Sequence, residues 1–600
     1  MAAPASNPPE TASETLLSHR QILLILTGLM SGMFLAALDQ TIVASSIRTI
    51  ADDLDGLSLQ AWATTAYLIT ATITTPLYGK LSDIYGRKPF FLSAIALFLV
   101  GSALSAASQS MYELAAFRAV QGLGAGGLFS LALAILGDIV SPRERARYQG
   151  FFLAVFGTSS VLGPVIGGFF AGQDTILWVS GWRWVFLVNV PIGFVALMIV
   201  MRVLNIPHQR REHRIDWPGA LALVVGLVPL LVVAEQGREW GWLSGRSLAC
   251  YGIGLIGLVA LYFAERACGE DALIPLRFFR NSVFTTTSLV ALVSGMGMFG
   301  GLSALPLYLQ IVKGASPTQA GLLLLPLTAG IMTGSVISGQ LISRTGRYKI
   351  YPIIGTVLMT VGLLAFSRVH WDTPFWQTGI AMAIFGLGLG NVMQPVTLAV
   401  QNAMPPRDIG VATSSSTFFR QMGGTLGTAV FLSVLFSQAG TKIGSAFERI
   451  VPTPSYQAAL HDPAVLSDPV NKGFVDQLSS SGGGVGSALD DSSFINRLDE
   501  RLAKPFFIGF SDAVDRVFLL GAVIMVLAIV LACLIKEIPL RTQSGVDAAR
   551  AEQAAAADAV AAADAERASS VDAAGEERAA VADGAGEERA AVARSEKGSD

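Results

Sequence analysis

Gly79-Lys-Leu-Ser-Asp83-Ile-Tyr-Gly86-Arg87-Lys88 lies between two apolar runs and recurs, 260 residues later, as Gly339-Gln-Leu-Ile-Ser343-Arg-Thr-Gly346-Arg347. At the same offset Gly163 and Gly167 fall on Gly423 and Gly427. Two separate matches at one offset mark an internal repeat. Glycine lets a helix end approach a neighbour closely and turn tightly. Asp83, at the end of one apolar run, can pair with a basic partner or with the N-terminal end of a neighbouring helix. Such a pair is a latch, because breaking it frees one bundle from the other. The second copy has Ser343 in place of Asp83, so it keeps the turn and lacks the acidic half.

Outward from this stretch, apolar runs of about 18–25 residues follow one another, each long enough to cross a bilayer as a helix. Of the 600 residues 52% are hydrophobic and 14% charged, against about a quarter charged in soluble domains. A soluble helical protein is excluded by a dozen such runs in series. The expected spans are 22–46, 58–78, 89–108, 111–137, 148–170, 181–203, 216–235, 247–267, 283–311, 319–342, 350–368, 375–400, 409–436 and 511–535. The repeat relates span 3 to span 11 and span 5 to span 13, a shift of eight. Two six-helix halves, 21–203 and 283–541, therefore flank a linker, 204–282, that holds two extra helices. The expected fold is all-α, integral to the membrane, with 14 transmembrane helices.

Short-loop basic residues set orientation. Lys80, Arg87, Lys88, Arg143, Arg145, Arg147, Arg210, Arg211, Arg214, Arg277, Arg280, Arg344, Arg347 and Lys349 share one side. That side is expected to be cytoplasmic, with both termini there: a tail 1–20 and an acidic Ala-rich tail 542–600 too poor in bulky apolar residues to build a core. Residues 437–510 form an extracytoplasmic insertion with apolar flanks around Ser479-Ser-Ser-Gly-Gly-Gly-Val-Gly486. It is read as a small cap or a disordered segment, and as a docking element for an extracytoplasmic partner. The scattered basic residues give no nucleic-acid face. Cys250, Cys268 and Cys533 have neither metal-site spacing nor an evident disulfide partner, and no metal site is expected.

Asp39, Arg118 and Arg420 lie well inside spans, where a charge is costly and functional by default. Asp39 lies about seventeen residues, or roughly 25 Å, into span 1. Arg118, about 10 Å into span 4 from the opposite side, sits at comparable depth. The two are a candidate proton-coupling pair, with Glu113 a competing partner for the arginine. Arg420 lies roughly 16 Å into span 13, with anion binding, gating and structural pairing all open. Gly157, Gly163, Pro164, Gly167 and Gly168 in span 5 permit a kink and close packing. An apolar cavity with sparse polar hooks is expected, with Trp62, Tyr67, Gln310, Asn391, Gln394 and Arg420 as its candidate lining.

The 79–88 loop resembles the signature loop of the major facilitator superfamily. Leu38-Asp39-Gln-Thr41-Ile-Val43, Trp182-Arg-Trp-Val-Phe-Leu-Val-Asn189-Val-Pro191, Asp216-Trp-Pro-Gly219 and Gly237-Arg-Glu-Trp-Gly-Trp242 are similar to the fourteen-span drug:proton antiporters within it. That resemblance covers most of residues 20–540. It implies that Arg118, in Arg118-Ala-Val-Gln121-Gly122, takes part in proton transfer, and that the Gly157–Gly168 stretch marks an antiporter. The departure after Val43, where Ala44-Ser-Ser replaces the usual continuation, bears on substrate type. The implied activity is proton-driven export of small lipophilic or cationic molecules by a monomer in the plasma membrane. Energy comes from the proton gradient and no cofactor is needed; no phosphate-binding loop or metal-ligand cluster suggests an enzyme. Export of an endogenous lipid or secondary metabolite is the alternative, and a channel or receptor a distant one. The arginine and alanine bias suits a GC-rich bacterial genome.

Overall fold

The computed structural model describes residues 19–54, 59–205, 215–480, 495–541 and 562. Most of the N-terminal tail, Arg210, Arg211, Arg214, the glycine tract at 482–486 and, save residue 562, the tail from 542 lie outside the described residues. Among the described residues, fourteen helices of fifteen or more residues follow in order. The first half holds α1 (His19–Asp53), α2 (Gln60–Tyr85), α3 (Arg87–Ala107), α4 (Met111–Ile139), α5 (Pro142–Ala171) and α6 (Asn189–Val203). Next come α7 (Trp217–Trp240) and α8 (Gly245–Cys268). The second half holds α9 (Ser282–Ile311), α10 (Leu325–Thr345), α11 (Ile350–Phe366), α12 (Phe375–Ala403), α13 (Ile409–Ile450) and α14 (Glu500–Leu534).

Twelve helical segments among the described residues are long and apolar enough to cross a membrane, against the fourteen expected. The other two long helices, α2 and α11, stand where spans 2 and 11 were expected. Helix α2 is diluted by Thr64, Thr65, Thr70, Thr72, Thr74 and Thr75, several of which return their hydroxyls to their own helix, as Thr72 does to the Leu68 carbonyl at 2.8 Å. Helix α11 has only 17 residues.

The caps explain where several helices start. Ser110 and Ser141 accept the backbone N–H three residues on, Asp216 does so at α7, and Asn281 opens α9. The repeated loop ends α2 and α10 at glycines of positive φ, 104° at Gly86 and 71° at Gly346. Both copies thus keep the turn that the sequence requires.

Without a hydrophobic force between helices in lipid, close packing of small residues has to hold the bundle. In the first half Gly122 and Gly126 lie against the backbone of α2 at Tyr67 and Ala71; in the second, Gly386 and Gly390 lie against α10 at Leu327 and Ile331. Tyr67 to Leu327 is the 260-residue offset, whereas Gly122 to Gly386 is 264. One of the extra four residues enters before α11, where Ala94 and Phe98 correspond to Gly355 and Met359, and three enter in the longer loop before α12. Gly163 and Gly167 pack on α1, and Gly423 and Gly427 on α9. The halves meet where α2 crosses α13 and α5 crosses α10, each contact the repeat image of the other. Helix α7 seats Leu223, Leu227 and Leu231 against Ile69 and Ile73 of α2 and Phe418 of α13. The first linker helix is therefore built into the seam between the halves, while α8 packs on α7 through Gly254 and Gly257.

The described residues of the 437–510 segment are mostly helix. Helix α13 continues to Ile450, three short helices follow (Pro454–Leu460, Pro463–Leu466 and Pro469–Ser480), and α14 begins at Glu500. Their shared core is Phe447, Tyr456, Val465, Phe474, Leu502 and Phe506, with the Phe447 and Phe506 rings 5.0 Å apart in an edge contact. Burial of each such ring contributes about 1.5–3 kcal/mol. That suffices to order a small cap on two helices that are already fixed.

Candidate functional site

Asp39 and Arg118 meet. The Arg118 Nη1 donates to Asp39 Oδ2 at 2.6 Å, and the two side chains are 1% and 0% exposed. Gln121 Nε2 and Asn189 Nδ2 donate to the other carboxylate oxygen at 2.9 and 2.7 Å. Arg118 also donates to Gln121 Oε1 at 2.7 Å, and its guanidinium lies 4.1 Å from the centre of the Tyr67 ring. Helices α1, α2, α4 and α6 thus each contribute to one charge cluster. Glu113, the competing partner, instead accepts the backbone N–H of Gln109 at the start of α4. A buried pair of this kind is tolerable only because its remaining hydrogen-bond positions are filled.

Tyr67 links this cluster to a central cavity of about 650 Å³ between the halves. Its wall is largely apolar, with Met33, Phe129, Phe152, Phe156, Met298 and Phe299. Arg420, Gln421, Gln40, Glu235, Glu239 and Trp242 supply polar groups. Lining positions fall in the later part of α1 and α7, the early part of α2 and the middle of α4 and α5. The cavity therefore extends from mid-helix toward the side away from the basic loops.

On the basic-loop side the halves are joined. Asp83 pairs with Arg87 and accepts the Val411 N–H, in the first turn of α13, at 2.9 Å. Arg87 Nε reaches Asp138 at 2.7 Å. Arg145, buried at the start of α5, donates to Gln401 of α12, whose amide in turn donates to the Leu133 carbonyl at 3.1 Å. Arg143 donates to the carbonyls of Ser343 and Arg344. Gly79 lies so close to Ser414 that any side chain there would collide with it. In the second copy of the loop Gly339 is buried in α10, while Arg347 is exposed.

A family profile described as Major Facilitator Superfamily matches residues 29–428. The chain belongs to the major facilitator superfamily. Among curated relatives, the multidrug transporter protein MdtP of Bacillus subtilis is 32% identical over 539 residues, covering 89% of this chain and 96% of that protein. Multidrug resistance protein 3 of the same organism is 34% identical, over 76% of this chain and 90% of its own length. The human organic anion transporter MFSD10 shares the fold at a TM-score of 0.55 and 15% identity, covering 85% of this chain and 99% of its own.

As a facilitator, the chain places its sequence-predicted residues unevenly. Tyr67 and Arg420 line the cavity; Trp62, Gln310, Asn391 and Gln394 are not among its lining residues. Asn391 turns back to the Leu387 carbonyl of its own helix at 2.7 Å, and Gln394 is buried in α12. Position along a span singles out those four, and position does not say which face of a helix turns inward. The span 5 glycines face two ways: Gly163 and Gly167 meet α1, whereas Gly157 meets Thr328 and Gly168 meets Thr318 of the second half. Pro164, inside α5, packs on Gly321.

Several polar residues of this facilitator escape a reading of the sequence alone. Gln121 and Asn189 stand within quoted motifs, and an amide inside an apolar run is itself a signal. Glu235, Glu239 and Trp242 come from the linker, which the sequence presents as spacing. Among the described residues His370, Asp512 and Asp515 bring three potential ligand atoms within 4.8 Å, with Asp512 already paired to Arg449. The described cysteines are free.

Proposed function

We propose that this facilitator is a proton-driven exporter of small lipophilic or cationic compounds, a multidrug-efflux antiporter that works by alternating access. The relatives named for multidrug transport and resistance support the substrate range. The observation that carries the coupling is Tyr67, which lines the cavity while its ring lies against the guanidinium that holds Asp39.

The residues suggest a sequence of events. With the basic-loop side latched, the cavity faces the opposite side. A proton taken up by Asp39 cancels its charge and removes the reason for Arg118 to stay. Released from Asp39, Arg118 shifts against Tyr67 and so changes the cavity wall. The latch at Asp83, Arg87 and the first turn of α13 then opens, and the proton leaves on the other side as cargo enters. Ligand and proton compete through one aromatic ring rather than through direct contact.

In this reading the basic loops and both termini are cytoplasmic, the helix count is fourteen, and the protein is a monomer in a bacterial plasma membrane. The proton gradient is the energy source and no cofactor takes part. Export of an endogenous lipid or secondary metabolite is a second reading, favoured by the cap: α13 carries cavity-lining Phe436 and continues directly into the cap core at Ile443 and Phe447.

Purified protein in liposomes with an internal pH dye tests the coupling. Adding tetraphenylphosphonium should move protons in fixed ratio to cargo, and Arg118→Ala should abolish that movement while cargo binding survives. Export that persists without proton movement, or in Arg118→Ala at wild-type rate, rules the mechanism out.

A further inference from the structure

Three interior arginines have their charge met by the protein. Arg118 pairs with Asp39, Arg87 with Asp83 and Asp138, and Arg145 with Gln401 and two backbone carbonyls. Arg420 differs. It lines the central cavity, yet among the described residues its side chain makes no ion pair and no hydrogen bond. Its neighbour Gln421 is held by the Thr75 hydroxyl at 3.0 Å, and its own backbone lies against Gly295 of α9. The helix around it is therefore fixed, while the guanidinium is left to the cavity.

A guanidinium stays charged, and an unpaired charge away from bulk water is costly. In a cavity such a group is solvated by water until something of opposite charge enters and takes the water's place. The cavity's own acids do not serve. Glu235 stands about eighteen residues along α7 from Trp217, and Arg420 about eleven along α13 from Ile409. By helix rise the acid therefore lies roughly 10 Å further from the basic-loop side. Glu239 follows it one turn later, and Glu235 lies beside Thr65 of α2.

We propose that Arg420 is the recognition group for the anionic head of a lipophilic monoanion, a carboxylate or sulfonate on an apolar body, so that the cargo range extends to acids. The apolar wall of Phe129, Met298 and Phe299 takes the body, and about 650 Å³ accommodates a drug-sized molecule. Glu235 and Glu239, further out, repel a second negative charge, so a monoanion is accepted and a dianion is not. This assignment rests on the exporter reading above.

The test uses the full chain in proteoliposomes with three probes: cholate, its uncharged methyl ester, and tetraphenylphosphonium. Wild type should carry all three. Arg420→Ala should raise KM for cholate by about 10- to 100-fold, the size of a lost charge-assisted bond. The ester and the cation should lose far less than cholate does, and Arg420→Lys should recover part of the cholate affinity. An equal loss for all three probes would make Arg420 a structural residue and overturn the proposal. So would wild type that moves the cation and ignores cholate, an outcome that leaves the exporter reading standing. Wild type that moves none of the three sinks that reading, and the proposal with it. If Arg420→Ala does not fold, wild-type protein must still prefer cholate to its ester by about tenfold, with Arg420→Lys reducing that preference; equal affinity overturns the proposal.

Discussion

The two halves of this protein share their packing and differ in their chemistry. Gly122 on Tyr67 and Gly386 on Leu327 are the same helix crossing made twice. At the offset of that crossing, Arg118 and Gln121 correspond to Met382 and Phe385, both fully buried. Where the first half holds a guanidinium and an amide, the second holds thioether and ring. The basic-loop side repeats the contrast, with Asp83 and Arg87 locked between the halves and Arg347 exposed. Duplication thus supplied a symmetric frame, and the buried carboxylate–guanidinium pair was kept in one half. In the proposed exchange, a single protonation event at Asp39 then biases one half against the other.

The sharpest way to break this comparison is to exchange chemistry between the halves. Asp39→Asn or Arg118→Ala removes one member of a buried pair, which costs about 3–5 kcal/mol when the other charge is left behind. Proton-driven efflux should fall to background. Met382→Leu, at the matching place, conserves volume and should cost less than about 1.5 kcal/mol, with efflux near wild type. Efflux assays on the three variants at equal membrane expression decide it; equal losses would mean that the first half's cluster is ordinary packing.

The second expectation runs the other way, toward equality. A methyl group on Gly122 would collide with the Tyr67 carbonyl and the Thr70 hydroxyl, and one on Gly386 with the Leu327 carbonyl. Gly122→Ala and Gly386→Ala should each destabilise by about 1–3 kcal/mol, read as similar drops in melting temperature in detergent. Gly444, where an added methyl meets nothing within 4 Å, should gain slightly from Ala, about 0.5–1 kcal/mol. A large difference between Gly122→Ala and Gly386→Ala would show that the frame itself is asymmetric.

How much of this is legible in the sequence follows from what each signal measures. Apolar runs and a repeated glycine turn report on helices and their order, and these stand in the structure, with α2 too rich in threonine and α11 too short to pass on composition alone. Asp39 and Arg118 are legible because charge inside an apolar run is rare and expensive. Trp62, Gln310, Asn391 and Gln394 are not, because a polar residue on a span tolerates either a cavity or a neighbouring carbonyl, as Asn391 finds at Leu387. The role of α7 is hidden for a different reason. A helix outside the repeat looks like spacing until packing shows Leu223 and Leu227 in the seam and Glu235 at the cavity.

At the latch a smaller effect is expected. Asp83→Asn keeps a group that can accept the Val411 N–H but loses the charge that holds Arg87, so export should slow by about five- to tenfold. Arg347→Ala, at the matching exposed position, should change export by less than about twofold. Comparable slowing by both would show that the second copy of the loop works as a latch after all.

The smallest effect lies in the cap, which belongs to the second half alone. Asp499 opens α14 by accepting the Arg501 N–H at 3.0 Å, and the Arg501 side chain also reaches Asp499 and Asp462. The hydrogen bond from Arg501 holds the Asp499 carboxyl below its ordinary range. A carboxyl depressed in the folded state adds stability that is present above the ordinary carboxylate range, about pH 4, and is lost as pH falls through the folded value. The pair is partly exposed, so solvent screens much of it. The protection of the 454–480 amides, taken relative to the intrinsic exchange rate at each pH, should therefore fall only modestly below about pH 4. Asp499→Asn preserves a good helix cap and removes the charge, so its protection should match the wild-type acid level at every pH. An unchanged pH profile in that variant would place the acid sensitivity elsewhere in the cap and leave Asp499 a neutral cap like Ser141 in the first half.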